Sequence, residues 1–196
     1  MAVVRLPEYG AAVEVMRALN AGGIAVLEFT LTGQGALDAI RRCRAESGPG
    51  ISVGAGTVLT GAEARDVIAA GAQFVVTPVV ALDVIEACRE AGVPCICGAQ
   101  TATEALTAHT HGSEFVKVFP ARLGGPTFIR DLLGPLPFLK IVPTGGIEAS
   151  NARAYLDAGA VAVGSGSSLI PKAAVAAGDW GEITARARAL VEAVQA

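Results

Sequence analysis

Short apolar runs alternate along the chain with longer segments whose apolar residues recur every three or four positions. The runs are Val3–Arg5, Ala25–Thr30, Ile51–Ala55, Phe74–Thr77, Pro94–Gly98, Phe115–Phe119, Lys140–Thr144 and Val161–Gly164. They start about 20–26 residues apart and are apolar throughout, which predicts parallel strands buried on both faces. Between them lie helical patterns such as Ala12, Val15, Met16 and Leu19, then Leu37, Ile40 and Arg41, then Val84, Ile85 and Cys88. Glycines fall where helices should stop, at Gly22-Gly23, Gly71, Gly92, Gly112 and Gly159, because glycine accepts the left-handed conformation that ends a helix. Thr60, Thr101 or Thr103, and Ser150 or Asn151 stand where helices should be capped. Ala177–Trp180 leads into a last amphipathic helix, about 182–195.

Eight strand–helix units without a linker-like break predict an α/β fold, a (β/α)8 TIM barrel, as a single domain over residues 1–196. A doubly wound open sheet is the runner-up. It asks for a Gly-rich crossover after the first strand, and none follows Val3–Arg5.

Composition narrows the class. The 196 residues are 52% hydrophobic and 17% charged, enough apolar material to bury a full core and too much for disorder. The longest run without a charge is about 16 residues, short of the ~20 a membrane helix needs, so no membrane partner is expected. Net charge is −3 with both signs interspersed, which argues against nucleic acid. Arg5, Pro7 and Glu8 come too early for a secretory leader, so a cytoplasmic location is expected. Cys43, Cys88, Cys95 and Cys97 then read as reduced core residues. No second Cys/His cluster accompanies Cys95 and Cys97 at a zinc-ligand spacing, and no metal is expected. His109 and His111 read as a solvated helix end.

In a barrel the chemistry sits at the C-terminal strand ends. Those are Arg5, Glu28 with Thr30 and Thr32, Gly56-Thr57, Thr77-Pro78, Gly98, Lys117, Pro143 to Gly146, and Gly164 to Ser168. Lys117 stands out, because the chain has twelve Arg and only three Lys, yet a Lys interrupts Phe115-Val116-Lys117-Val118-Phe119. Apolar surroundings favour a neutral amine, and a neutral amine forms a Schiff base with a carbonyl, which Arg cannot do. The bland reading is a Lys that snorkels outward or pairs with Glu28. Glu28 is equally out of place in Ala25-Val26-Leu27-Glu28-Phe29-Thr30, as a proton donor and acceptor or as a structural partner. The Gly-rich stretches after strands seven and eight match the phosphate site of many barrels, with a short extra helix expected at about Ser168 to Ala174.

With these residues assembled, the chain resembles the 2-keto-3-deoxy-6-phosphogluconate (KDPG) aldolase family, class I lyases that also accept 4-hydroxy-2-oxoglutarate (KHG). The likeness runs from about Val3 to Gly178. It is carried by Gly22-Gly23-Ile24 to Leu27-Glu28-Phe29-Thr30-Leu31, Val53-Gly54-Ala55-Gly56-Thr57-Val58-Leu59, Ala70-Gly71-Ala72-Gln73-Phe74, Val116-Lys117-Val118-Phe119-Pro120 and Pro143-Thr144-Gly145-Gly146-Ile147. The resemblance implies Lys117 as the Schiff-base lysine and Glu28 as the general acid/base. It implies Thr57, with Pro78, lining the pyruvyl pocket, and Gly145, Gly146, Gly166 and Ser167 holding a phosphate. It also implies a phosphorylated keto acid and pyruvate as ligands, no cofactor, and a homotrimer.

Two departures from the family pattern stand out. Many members carry an Arg for the substrate carboxylate where this chain has Thr32, and Arg5 is the candidate replacement. The chain also begins almost on its first strand, without the N-terminal helix of longer relatives, which raises the question of what seals the barrel bottom. Other readings of the same residues are an aldolase for the galactonate-derived phosphate ester, a phosphate-binding barrel isomerase or synthase, and a non-catalytic sugar-phosphate sensor. A sensor has no need to keep both Lys117 and Glu28.

Overall fold

The computed structural model describes residues 1–195. Seven strands, β1 (Ala2–Val4), β2 (Val26–Thr30), β3 (Ser52–Gly56), β4 (Val75–Val76), β5 (Cys95–Ala99), β6 (Phe115–Val118) and β7 (Ile141–Pro143), form one sheet in sequence order. All neighbours are parallel. Helices α1 (Ala12–Ala21), α2 (Ala36–Glu46), α3 (Gly61–Ala69), α4 (Leu82–Ala91) and α5 (Ala102–Thr110) fill the first five crossovers. The 3-10 turn η1 (Ala121–Leu123) and α6 (Gly125–Leu133) fill the sixth. After β7 come α7 (Ala152–Asp157), α8 (Lys172–Ala177) and α9 (Trp180–Gln195). No helix among the described residues is long and apolar enough to cross a membrane.

The expected eighth strand, Val161–Gly164, is not a strand. Its stretch is reduced to isolated parallel bridges, Thr144 with Gly164 and Ala2 with Ser165. Even so it bonds to both sheet edges. Gly164 N–H donates to Pro143 at 2.9 Å, Ser165 N–H to Met1 at 3.0 Å, and Val3 N–H to Ser165 at 2.7 Å. Val161 N–H also donates to the Ile141 carbonyl at 3.0 Å and the N-terminal ammonium to the Val163 carbonyl at 2.9 Å, so the stretch fills the gap between β7 and β1 without a regular ladder. A Cβ on Gly164 would collide with the Thr144 side chain.

The uninterrupted apolar strands divide their residues between two cores. Leu27, Phe29, Val53, Ala55, Val75, Cys95, Cys97, Val116, Val118 and Ile141 face the helices in the main core. Their neighbours Phe74, Val76, Ile96 and Val142 form a second cluster on the opposite, concave face, joined by Met1, Phe115 and Ala162. All four cysteines are buried free thiols, and burial pushes the Cys43 thiol up to about 12.

Local signals explain most element ends. Thr60 and Thr101 each form a full capping box, with Glu63 and Glu104 three residues on. Asn151 caps no helix through its side chain. The extra helix begins at Lys172 rather than Ser168, because Pro171 restricts the residue before it and is tolerated only at a helix start. The last helix starts two residues earlier than expected, at Trp180.

Gly23, Gly71, Gly92, Gly112 and Gly159 all take positive φ, as helix stops should. Gly22 does not, with φ −89°. Its role is close approach: a Cβ there would lie 2.7 Å from the Thr184 carbonyl and 3.0 Å from the Arg188 amide of α9. Those are backbone atoms and cannot yield locally. Gly22→Ala should therefore lift α9 off α1 and cost about 1–3 kcal/mol, the usual penalty of overpacking. Urea denaturation followed by far-UV circular dichroism checks this; an unchanged midpoint would show that α9 adjusts freely.

Candidate active site

The concave face carries the unusual residues. Alternation along β2 sends Glu28 to that face while Leu27 and Phe29 join the helices, and along β6 it does the same for Lys117 between Val116 and Val118. Glu28 is wholly inaccessible and Lys117 is 2% exposed. Lys117 Nζ lies 3.6 Å from Glu28 Oε1 and 5.4 Å from the centroid of the Phe119 ring. That separation is an ion pair without a proper hydrogen bond. Neither carboxylate oxygen of Glu28 has a hydrogen-bond partner among the described residues. A buried charge left so is costly in a protein interior, and such an arrangement suits a site where a ligand completes the bonding.

Glycines on the same face make the room. A Cβ on Gly56, paired across from Thr30, would fall on the Glu28 carboxylate. One on Gly54 would enter the Phe74 ring at 2.6 Å. Gly98 is the register partner of Lys117 on β5, and a Cβ there would meet the Val79 amide at 2.5 Å and the Pro78 carbonyl. The half-buried Pro78 thus lies across the strand position next to Lys117. Thr77 holds that loop: its hydroxyl donates to the Val79 carbonyl at 2.6 Å and accepts from the Gly98 amide at 2.9 Å. Thr57, directly after Gly56, has φ +55°, unlike any other non-glycine residue described. For a β-branched residue this is a strained conformation, worth roughly 1–2 kcal/mol, and it is stored beside the Glu28 carboxylate.

The two Gly-rich stretches meet. Gly145 and Gly146 take φ +92° and +83°, folding the chain against Phe119, Pro120 and Arg122. The Ser165 and Ser168 hydroxyls donate to the Ile147 carbonyl at 2.8 and 3.0 Å. Asn151 Nδ2 donates to the Gly146 carbonyl while its Oδ1 accepts from the Glu148 amide, both at 2.9 Å. Ser165, Ser168 and Asn151 therefore clasp this turn, a role that hydroxyl and amide residues in loops do not announce in sequence. Gly166 has a negative φ and space for a Cβ, with Val3 no nearer than 3.4 Å, so close approach does not explain it. Ser167 is exposed at the turn. A surface cavity of about 300 Å³ lined by Glu148, Ser165, Ser168 and Arg186 lies beside the clasp and includes neither Lys117 nor Glu28.

At the end of β1, which the Ser165 stretch bridges, Arg5 is exposed one residue past the Val4–Phe29 pair, alongside Thr30. Beneath it runs a chain of hydroxyls. Tyr9 donates to the Val4 and Thr30 carbonyls at 2.9 and 2.8 Å, Thr30 Oγ1 lies 3.1 Å from that phenol, and exposed Thr32 lies 2.8 Å from Thr30 Oγ1. Burial raises the Tyr9 phenol above its ordinary range, with the Thr30 hydrogen bond opposing, so it stays a donor. Tyr9 escapes a reading of strand ends because it belongs to the loop before α1.

Comparisons with known proteins place the chain by family and by fold. The KDPG and KHG aldolase family model matches residues 1–186. The KHG/KDPG aldolase of Escherichia coli K12 is 40% identical over 182 residues, which cover 92% of this chain and 85% of that protein. Among solved structures, native KDPGal superposes with a TM-score of 0.91 at 27% identity, covering 99% of this chain and 93% of the other. KDPG aldolase from Legionella pneumophila, with pyruvate captured at low pH as a covalent carbinolamine intermediate, gives 0.87 at 33% identity, covering 96% and 93%.

The buried pair makes a prediction about stability alone. Lys117→Met removes the side-chain cation 3.6 Å from the Glu28 carboxylate, leaves it only the attraction of the N-terminal ammonium, and should cost about 3–5 kcal/mol. Adding Glu28→Leu removes the stranded charge and should bring stability back to the wild-type value or above it. Denaturant midpoints of the three proteins decide the matter; a double variant no better than the single one would mean that packing, not charge, governs these positions.

Proposed function

Since the chain belongs to the KDPG and KHG aldolase family, we propose that it cleaves KDPG to pyruvate and glyceraldehyde 3-phosphate through a Schiff base on Lys117. It would cleave KHG to pyruvate and glyoxylate in the same way. The observation that carries this reading is the inaccessible Lys117–Glu28 couple at 3.6 Å, with both carboxylate oxygens unpartnered. The covalent carbinolamine in the Legionella pneumophila relative supports it.

In this mechanism Lys117 Nζ adds to the C2 carbonyl, and Glu28 moves the protons that turn the carbinolamine into an iminium and water. A base, Glu28 directly or through a water, then removes the C4 hydroxyl proton. The C3–C4 bonding electrons pass into the iminium, leaving an enamine on Lys117 and releasing the aldehyde. Protonation at C3 and hydrolysis of the resulting iminium free pyruvate and restore the amine. The iminium polarises C2, so this route calls for no metal or organic cofactor.

Thr57 and Pro78 line the pyruvyl end in this reading. Gly145, Gly146, Gly166 and Ser167 hold the phosphate, and Arg5 with Thr32 meets the carboxylate beside the keto group. The same reading takes residues 161–166 as the eighth position of a (β/α)8 barrel, residues 1–196 as one domain, and the working assembly as a homotrimer.

Borohydride reduction in the presence of pyruvate, with mass mapping, should place a pyruvyl adduct on Lys117. Lys117→Arg keeps the charge but cannot form the imine, so its cleavage rate should be as low as that of Lys117→Met. Appreciable turnover by the Arg variant would falsify the assignment.

The isosteric Glu28→Gln should lower kcat by about 10²–10⁴, the ordinary worth of a general acid/base, while slow trapping of pyruvate on Lys117 persists. A kcat within a few-fold of wild type would reduce Glu28 to a structural partner.

A further inference from the structure

The turn η1 follows β6 directly and carries Arg122 to the clasped Gly-rich turn. Two backbone bonds fasten it there: the Ala121 amide donates to the Thr144 carbonyl at 2.8 Å, and the Arg122 amide to the Gly145 carbonyl at 3.1 Å. The Arg122 stem then lies across Gly146. A Cβ on Gly146 would be 2.7 Å from Arg122 Cβ and 3.3 Å from its Cδ. Glycine at 146 thus makes room for the arginine as well as for its own φ. Among the described residues, Arg17, Arg42, Arg89, Arg153 and Arg186 pair with carboxylates. Arg122 is exposed and, like Arg5, Arg41, Arg44, Arg65, Arg130 and Arg188, is in none of these pairs; what sets it apart is its stem against Gly146 at the rim of the turn.

We propose that Arg122 is the side-chain cation that recognises the substrate's phosphate and sets the preference for phosphorylated over unphosphorylated keto acids. This rests on reading the Gly145-Gly146 turn as the phosphate end of the site. Backbone amides of that turn supply dipoles but no net charge, whereas the phosphate is an anion entering a chain of net charge −3. A guanidinium offers the planar two-donor fork that matches phosphate oxygens. Lys117, the cation on the strand before this turn, is engaged with Glu28 at the chemical end. Arg122 precedes α6 by a few residues and is held by its backbone on one side and by Gly146 on the other, so its fork is partly preorganised.

The test compares kcat/KM for KDPG with that for the same keto acid lacking its phosphate, in wild type and in Arg122→Ala, Arg122→Gln and Arg122→Lys. Gln keeps most of the stem over Gly146 and loses the charge. The ratio of the two values should fall about 10- to 100-fold in Ala and Gln, the fold-change expected for charge-assisted hydrogen bonds, and Lys should recover part of it. Inorganic phosphate should inhibit wild type competitively and Arg122→Gln more weakly. A wild-type ratio near one would overturn the phosphate reading and this assignment together. A large wild-type ratio that survives Arg122→Gln would overturn the role of Arg122 alone. Equal losses on both substrates would overturn it too, by making the side chain a packing element.

Discussion

The architecture turns on one costly contact, an ammonium and a carboxylate facing each other where water does not reach. Taking each charge out of water costs several kcal/mol, and a pair at 3.6 Å without hydrogen bonds recovers only part of that. The chain tolerates the deficit because the rest of the sheet is apolar on both faces. It arranges the neighbourhood accordingly: glycines at 54, 56 and 98 leave the volume that Phe74, the Glu28 carboxylate and the Pro78 loop occupy. Thr57 adds backbone strain at the same spot. These concessions lie within one layer of the concave face, and the fold's stability comes from outside it, in the helix-facing core.

The two ends of the proposed site offer different physics. Around Lys117 and Glu28 the surroundings are dry and apolar, which strengthens electrostatic interactions and favours proton transfer between positioned groups. At the Gly145-Gly146 turn the backbone is bent into positive φ and clasped by Ser165, Ser168 and Asn151. On the proposed reading an anion would meet the amides of this turn there, with the exposed Arg122 guanidinium at the rim. The 3-10 turn links the two ends, since it leaves the Lys117 strand and bonds to the glycine turn within five residues.

How far the sequence foretold this depends on the range of each signal. Parallel order, helix caps at Thr60 and Thr101, and positive-φ stops are local or periodic, and the chain states them openly. Lys117 and Glu28 were legible because a charge inside an apolar run is itself an anomaly. The eighth strand failed because apolar content does not distinguish a full ladder from a few bridges around Gly164 and Ser165. The short helix shifted to Lys172 because Pro171 outweighed the serines before it. Gly22, Gly56 and Gly98 were missed as space-makers, since what a Cβ would strike depends on segments distant in sequence. Tyr9 and Arg122 escaped for the same reason: each lies outside the strands, against segments that only the fold brings near.

The second, smaller core has a function distinct from holding the sheet together. Phe74, Val76, Ile96 and Val142, with Phe115 and Met1, lie on the same face as the charged pair, and Phe115 is two residues before Lys117 on its strand. They form a floor. The floor closes one side of the pair, and the end where the strands open into the loops of Thr57, Pro78 and the glycine turn is the way in on the proposed reading. Replacing floor residues with smaller ones would change more than packing density, because a cavity beside buried charges admits water, and water screens the attraction between Lys117 and Glu28. The apolar floor is therefore part of the chemical site, though none of its side chains carries a reactive atom.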